Sequence, residues 1–459
     1  MAEENRAPNL LPAVVILGAC LWMFTMTGGG DVFVEEVLGK AYDSQGEHFL
    51  RGDVGVDAEV IAHEVLIVDG KARMYFGPFP AFLRIPLNLI YPSGRGYWSR
   101  ALGFCAGMIA LAAFAGLARM ALRSSQLSSR WRNWVGNVSV VGFGLASPLL
   151  LLLGNLSIYD EAIIWGLAWS LAALYFACRF LTGEGVAWTR VLLAFSLCAG
   201  AALLSRATFG VPFVLIAPIL GYGLLRRSEK FSLAALFLPL GAAFVFYVFL
   251  TYARFGSFSG MPLRYSINSE QREFALKHGL FRLERVPYSF ADYFILRVPE
   301  LKHEPPFLQA GRQPYEHPTL YVMPFTESYT SLLWCSSWIL LGASLGVAML
   351  LRTGDSGGVE RMIAAILFLQ VILILSFMCL AQRYVADFFP FLVFAFFVFL
   401  RSGPVFRLRY ALIALVAVSA VINSLSTLSW LVEADLNVPA KTRAKWNKFL
   451  GSSLKDQRA

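Results

Sequence analysis

Acidic side chains that could serve as a catalytic base are concentrated in one polar interval near the start of the chain, residues 28–97. Asp31 follows directly on the first long apolar segment, and Asp43 lies where apolar positions recur at helical spacing. A carboxylate held at such a position is suited to taking a proton from a substrate hydroxyl. The same spacing is also typical of an amphipathic interfacial helix with a solvated acidic face, and that alternative stays open.

Basic side chains that could bind a phosphate occur singly at the ends of apolar segments. Arg206 is the only charge between two apolar runs, Arg254 and Arg264 follow a third, and Arg383 lies in a very short polar turn. A guanidinium group matches the oxygens of a phosphate. Arg206 would equally well snorkel to lipid headgroups.

Two acidic positions have an equally simple structural interpretation. Asp387 follows Arg383 by four residues, a spacing at which a local ion pair stabilises a helix end. Glu161 opens an apolar run together with Asp160, where acidic side chains favour the start of a helix. The functional interpretation is that these carboxylates face the polar interval at 28–97 and bind a ligand.

Composition indicates an integral membrane protein. The chain has 459 residues and is 57% hydrophobic but only 15% charged, against about 25% charged residues in soluble domains. Apolar runs long enough to cross a bilayer recur throughout, so we predict an all-α polytopic protein with about eleven transmembrane helices. The predicted spans lie at about 9–27, 98–121, 134–154, 161–181, 188–204, 208–225, 231–252, 329–351, 362–381, 385–400 and 410–431.

The distribution of arginine in the short loops predicts the orientation. The net charge is +9, and we attribute it to membrane topology and not to a nucleic-acid partner. The positive-inside rule places the N-terminus in the cytoplasm and the loops 28–97 and 253–328 outside. Residues 75–91 contain prolines and Arg84, so we predict a helix that lies at the membrane interface or is partly re-entrant, and not a span. The chain is then one transmembrane domain, 1–431, followed by a basic tail, 432–459, that would lie outside against the rule.

Other chemistries find little support in the sequence. The six cysteines lie almost entirely in apolar runs and form no CxxC motif, so we interpret them as core residues. Walker A, HExxH and GxSxG motifs are missing. A divalent metal could still serve as a cofactor, although no ligand set is evident.

Several short segments together resemble the GT-C superfamily of integral-membrane glycosyltransferases, which includes protein O-mannosyltransferases and the lipid A aminoarabinose transferase. These segments are YDSQGEHFLRG from residue 42, EVLIVDGKARMYFGPFP from residue 64, YDEA from residue 159, SRAT from residue 205, YARFGS from residue 252 and QRYVAD from residue 382. The resemblance implies a polyprenyl-phosphate sugar donor, an external active site and an inverting single displacement. The acceptor would be a glycan, a lipid or a protein, and the protein would lie in the cell (inner) membrane.

The resemblance also implies roles for individual residues. Asp43, or else Asp31, would be the base, although the Asp-Glu pair of protein O-mannosyltransferases is missing at both positions. Positively charged groups would stabilise the departing phosphate. The arginines implied in this role are Arg206, Arg383, Arg254 and Arg264. The remaining residues implied in substrate binding are Glu64, Glu161, Tyr75 and Asp387.

Two alternatives stay open at this point. A transporter or flippase for a lipid-linked or anionic substrate would share the hydrophobic composition, although its polar groups usually lie at the bilayer midplane. A protein similar to O-antigen ligases or polymerases would use basic residues of the second long loop, such as His278, His303 and Arg312.

Overall fold

The computed structural model describes most of the chain. The described residues are 8–26, 31–183, 187–225, 230–311, 322–323, 327, 329–352, 357–433 and 438–451. Within them the fold is almost entirely helical, with nineteen α-helices and two small antiparallel sheets. The predicted all-α class is therefore confirmed.

The helices, α1 to α19 in chain order, follow the apolar segments of the sequence. Their bounds are Leu11–Met26, Ala41–Leu50, Ala58–Ile61, Phe79–Ile90, Ser99–Arg123, Ser129–Leu145, Pro148–Gly154, Ile158–Leu181, Trp188–Ser205, Ala207–Leu225, Lys230–Phe255, Ser269–His278, Val286–Ala291, Leu332–Cys335, Ser337–Arg352, Gly358–Leu375, Phe389–Ser402, Val405–Glu433 and Ala440–Leu450. Short 3-10 helices lie at Ala62–Glu64, Pro92–Gly94, Leu263–Tyr265, Leu283–Arg285 and Gln382–Phe388, and a π-helix at Asp292–Leu296.

The strands belong to the polar loops. Strand β1, Leu66–Val68, pairs with β2, Lys71–Arg73, and strand β3, Glu300–Leu301, pairs with β4, Leu308–Gln309. The β1–β2 hairpin turns through Asp69 and Gly70, both at positive φ, as a tight hairpin turn requires. The sequence analysis predicted no strand in this loop.

Fewer helices are long enough to cross a membrane than the eleven that the sequence predicts. In the described residues, eight helices are long and apolar enough to cross a bilayer, or nine if the bent pair α6–α7 is one span. The two other predicted spans, at 9–27 and 329–351, correspond to the shorter apolar helices α1 and α15. Segment 75–91 forms α4, a helix of 12 residues, which is too short to cross a bilayer core of about 30 Å.

Contacts between loops collect the basic segments on one face of the bundle. The backbone N–H of Asn9 donates to Asn133, so the start of the chain meets the start of α6. On the same face Arg401 pairs with Glu360 at 2.7 Å. Arg409 at the start of α18 lies 4.6 Å from the centre of the Trp131 ring at the start of α6, so the loop between α17 and α18 shares a face with the segment at Asn9.

The basic C-terminal helix lies on the opposite face, beside the first polar loop. Lys445 of α19 pairs with Asp31, and the Arg100 guanidinium at the start of α5 donates to Thr442 at 3.0 Å. The C-terminal helix and the first polar loop therefore share a face, as the sequence analysis predicted, and the side of the membrane on which this face lies stays a prediction.

Candidate active site

A cavity of about 580 Å³ lies where α10, α11 and α16 meet the segment that joins β2 to α4. This volume is within the range of small-molecule sites, roughly 300–1,000 Å³. Most of the wall is apolar. The basic and aromatic polar side chains of the wall are Tyr75, Tyr159, Arg206, Tyr247, Arg254, Arg383 and Tyr384.

The apolar wall of the cavity continues onto the outer surface of the bundle. Leu215 of α10 and Leu369 of α16 both line the cavity, and they are 47% and 58% exposed. Val211 and Leu373 share this property. The cavity is therefore open along the side of the helices, in the direction in which a bilayer would surround them.

Arg254, at the end of α11, is the most unusual side chain of this wall. It is only 5% exposed, and its Nη1 donates to the backbone carbonyl of Phe76 at 3.0 Å. Among the described residues, its Nε and Nη2 have no hydrogen-bond partner. A buried charge without a partner is costly, so this guanidinium is suited to an anion that enters the cavity.

A close backbone contact sets the position of the Phe76 carbonyl. A Cβ on Gly77 would lie 2.2 Å from the carbonyl oxygen of Ser205, so only glycine allows this approach of the loop to the end of α9. The contact holds Tyr75 and Phe76 against the cavity. Their rings are stacked, with centroids 4.3 Å apart.

The two other arginines of the cavity are each held by one carboxylate. Arg206 lies 3.4 Å from Asp387 and donates from Nε to Thr208 at 3.1 Å. Arg383 pairs with Glu327, and its guanidinium lies 4.7 Å from the centre of the Tyr159 ring. These two side chains are 24% and 14% exposed. Each keeps part of its guanidinium accessible.

Glu64 is the carboxylate of the first loop that lies directly behind the cavity wall. It is 7% exposed, and it accepts hydrogen bonds from the Tyr75 hydroxyl at 2.8 Å and the Tyr159 hydroxyl at 2.6 Å. Burial, followed by the charge of Glu64, raises the pKa of Tyr75 well above its usual range. The Tyr75 hydroxyl is therefore a neutral donor to the carboxylate.

Asp43 and Glu161 lie in a buried ion cluster and do not line the cavity. The Arg84 guanidinium donates to Asp43 at 2.7 Å and to Glu161 at 2.6 Å. Asn88 donates to the other oxygen of Asp43 at 2.7 Å. The exposed fractions of Asp43, Arg84 and Glu161 are 1%, 0% and 0%, so this cluster has no surface for a substrate.

Asp31 and Arg264 also lie outside the cavity lining. Asp31 pairs with Lys445 of α19, which lowers the pKa of its carboxyl group. Arg264 is exposed and lies over the ring of Tyr265, 4.7 Å from its centre. Of the predicted site residues, the structure brings Tyr75, Arg206, Arg254 and Arg383 to one cavity, with Glu64 and Asp387 bonded behind it.

The sequence analysis did not name three residues that contact the cavity wall or the buried ion cluster. Tyr159 was quoted only within a motif, and Glu327 was not considered. Arg84 was treated only as a break in an apolar segment. A lone arginine in such a segment requires a buried counter-ion, and this signal could have led from Arg84 to Asp43 and Glu161.

The basic residues of the second long loop that an O-antigen ligase or polymerase would use do not line the cavity in the described residues. Neither His278 nor His303 lines it, and Arg312 lies outside the described residues. In the part of the chain that the structure describes, no group of three or more His, Cys, Asp or Glu side chains could hold a metal ion.

Comparisons with known proteins give only distant similarities. No family model and no curated protein sequence matches the chain. Among solved structures it is similar to ArnT from Cupriavidus metallidurans bound to undecaprenyl phosphate, with a TM-score of 0.45 and 11% identity over 96% of this chain and 77% of ArnT. It is also similar to the archaeal oligosaccharyltransferase AglB from Archaeoglobus fulgidus, in complex with an inhibitory peptide and a dolichol-phosphate. In that case the TM-score is 0.45 and the identity 13%, over 96% of this chain and 59% of AglB. Nothing about substrate or chemistry follows from overlaps of this size alone.

Proposed function

We propose that this protein is a membrane glycosyltransferase that takes a sugar from a polyprenyl-phosphate donor and transfers it to an acceptor hydroxyl. The observation that carries the proposal is Arg254, a buried arginine in the wall of a cavity that is open at the side of the bundle. Two of its guanidinium nitrogens have no hydrogen-bond partner in the part of the chain that the structure describes. A lipid phosphate has the two properties that this cavity requires. Its anionic head satisfies the guanidinium, and its hydrocarbon chain covers exposed leucines.

The arginines supply the electrostatics of the leaving group. When the bond between the sugar and the phosphate breaks, the phosphate gains negative charge. Arg254, Arg206 and Arg383 line the wall around it and stabilise this charge, in a cavity that excludes much of the water. Arg206 and Arg383 are held in place by Asp387 and Glu327, so little reorganisation is needed during the reaction.

The acidic group that serves the acceptor is, in this proposal, Glu64 and not Asp43. An inverting displacement needs a base on the face of the sugar opposite the leaving group. Glu64 belongs to the first loop and contacts the two tyrosines of the cavity wall. Asp43 is occupied by Arg84 and Asn88, and its proposed role is structural.

Binding of undecaprenyl phosphate to the purified protein tests the phosphate site. We expect Arg254→Met to weaken binding about 10- to 100-fold, because it removes charge-assisted hydrogen bonds of roughly 1.5–3 kcal/mol. Arg264→Met is the matched control, since Arg264 is an exposed arginine outside the cavity lining. Equal binding by wild type and Arg254→Met would contradict the proposal.

A transfer assay tests the enzymatic part. Membranes are incubated with undecaprenyl phosphate carrying radiolabelled mannose, glucose, N-acetylglucosamine or aminoarabinose. The expected result is release of the label from at least one donor, to an acceptor or to water. Binding of undecaprenyl phosphate without release from any donor would favour a transporter of the lipid.

A further inference from the structure

A hydrogen-bonded cluster of side chains with Tyr159 at its centre connects the cavity with the protein surface. Tyr159 lines the cavity, and its hydroxyl donates to Oε1 of Glu64 at 2.6 Å. Nε2 of His63 lies 3.2 Å from the same hydroxyl and 3.8 Å from the same carboxylate oxygen. The His63 side chain is 60% exposed, so the cluster begins at the cavity and ends in solvent.

We propose that Tyr159, Glu64 and His63 form a proton relay that carries the acceptor's proton out of the cavity. The proposal rests on the proposed function, because it assigns the path of the proton that the transfer reaction releases. Glu64 itself is almost fully buried and both its oxygens accept tyrosine hydroxyls. The acceptor therefore meets a tyrosine hydroxyl first, and the carboxylate acts through it.

The bonds of the step balance as follows. The acceptor oxygen forms a bond to the sugar carbon, while the bond between that carbon and the phosphate oxygen breaks and its electron pair leaves with the phosphate. The acceptor's proton moves to the Tyr159 oxygen as the original Tyr159 proton moves to Oε1 of Glu64. After the sugar has been transferred, the carboxylic acid returns its proton to the Tyr159 oxygen while the Tyr159 hydroxyl donates its own proton to Nε2 of His63, 3.2 Å away. The imidazolium then releases a proton to solvent.

Tyr75 provides a matched comparison within the same cluster. Tyr75 also lines the cavity, and its hydroxyl donates to Glu64, but to the other oxygen, Oε2. Its only hydrogen bond in the described residues is this one, whereas the Tyr159 hydroxyl also meets His63. In the relay, Tyr75 is a positioning residue and Tyr159 is the catalytic residue.

Several charged and titratable groups lie around the Glu64 carboxylate. Besides the two tyrosines and His63, Arg383 contacts the Tyr159 ring, and Tyr384 acts electrostatically on both tyrosines. Cys379 lies within electrostatic range of Glu64. A change at Glu64 should therefore be distinguished from a change at Arg383 by its pH dependence.

The test measures release of radiolabelled sugar from the active undecaprenyl-phosphate donor in the full-length protein. We expect Tyr159→Phe to lower kcat about 100-fold with little change in the KM for the donor, as for loss of a general base. Tyr75→Phe should lower kcat less than about 10-fold. Equal losses in both variants would overturn the relay, because both hydroxyls would then only orient Glu64. An unchanged Tyr159→Phe rate would also overturn it.

Glu64→Gln and His63→Gln test the inner and outer parts of the relay. Glu64→Gln should abolish the acidic limb of the pH profile of kcat, and a retained limb overturns the assignment of Glu64. His63→Gln should lower kcat about 10-fold, and imidazole added to the buffer should restore part of the rate. An unchanged kcat, or a lowered kcat that imidazole does not restore, overturns the role of His63 in releasing the proton. Thermal unfolding and binding of undecaprenyl phosphate confirm that each variant is folded.

Failure of the relay can be separated from failure of the proposed function. Wild type that binds undecaprenyl phosphate through Arg254 and releases sugar, with Tyr159→Phe fully active, contradicts only the relay. If wild type binds the lipid but releases no sugar from any donor, the proposed reaction and the relay are both contradicted. The proposed phosphate site is not affected by that result.

Discussion

Two buried arginines of this protein, Arg84 and Arg254, have opposite surroundings. Arg84 is fully buried and donates to two carboxylates, Asp43 and Glu161, and to the Ser99 hydroxyl at 3.1 Å. Arg254 is 5% exposed and donates to one backbone carbonyl, and two of its nitrogens have no partner among the described residues. One charge is neutralised within the fold, and the other faces a cavity.

The comparison shows how a structural charge differs from a binding group in a chain of this composition. Removing a charge from water costs several kcal/mol, about as much for either arginine, unless a counter-charge offsets it. In the Arg84 cluster the fold supplies the counter-charge, and its carboxylates are therefore unavailable as bases. At Arg254 the counter-charge has to come with a ligand. Burial alone does not distinguish a structural arginine from a binding arginine. The number of hydrogen-bond and ion-pair partners of the guanidinium does.

The largest effect is expected for Arg84→Leu, which leaves Asp43 and Glu161 buried without a counter-charge. Breaking a buried pair in this way costs about 3–5 kcal/mol, so we expect a protein that fails to fold or unfolds at much lower temperature in detergent. Arg95→Ala is the control. It breaks an exposed pair with Glu47 whose side chains are 51% and 32% exposed, which is worth less than about 1 kcal/mol. Equal thermal stability of the two variants would contradict the structural role of the cluster.

Arg254→Met should have the opposite signature. Because the removed charge pairs with no carboxylate of the described residues, we expect unchanged or slightly higher thermal stability together with the 10- to 100-fold loss of undecaprenyl phosphate binding given above. Thermal unfolding with and without the lipid measures both properties in one experiment. A strongly destabilised variant would show that Arg254 is structural, as Arg84 is.

Asp43→Asn separates a base from a counter-ion. Arg84 retains Glu161, so we expect a loss of about 1–3 kcal/mol in the free energy of unfolding and a rate of sugar release per folded molecule close to that of wild type. Glu64→Gln, in contrast, should lose the rate and keep the stability. The reverse pattern, with Asp43→Asn folded and inactive, would return the base to Asp43.

The smallest effect is expected at an exposed cluster, where solvent screens the charges. Asp57 accepts from the Ser44 hydroxyl and, with Asp53, contacts His48. The Ser44 bond is the main cause that lowers the pKa of Asp57. At Asp53, burial raises the pKa, but bonds from His48 and the Val54 N–H outweigh it and the pKa is lowered.

Since both folded pKa values lie below those of the unfolded chain, this stabilisation is complete above about pH 4. It is lost as the pH falls through the lowered folded values. With side chains 44% and 51% exposed, we expect less than about 1 kcal/mol. Thermal unfolding of Asp57→Asn should fall slightly below wild type at pH 7 and by less at pH 3, and a larger difference at pH 3 than at pH 7 would contradict this.

The sequence by itself determined the helical architecture and the cations of the cavity. The length of an apolar run is a local property, and it places helices wherever a backbone must satisfy its own hydrogen bonds away from water. The same local reasoning predicted that the segment of α4 is not a span, because it contains prolines and Arg84, although Arg84 and Pro86 both lie within the helix. It also selected Arg206, Arg254 and Arg383 as single charges at the ends of apolar runs, and all of them line the cavity.

Only the tertiary structure decided which carboxylates are free to act. Asp43 and Glu161 are 41 and 77 residues from Arg84 in sequence and meet it in space, and no local pattern records that pairing. Likewise the Tyr159 hydroxyl reaches Glu64 across 95 residues. The sequence shows where a carboxylate lies along the chain, but the reactivity of that carboxylate depends on the side chains that surround it. Those partners come from distant segments, which only the packing of the helices brings together.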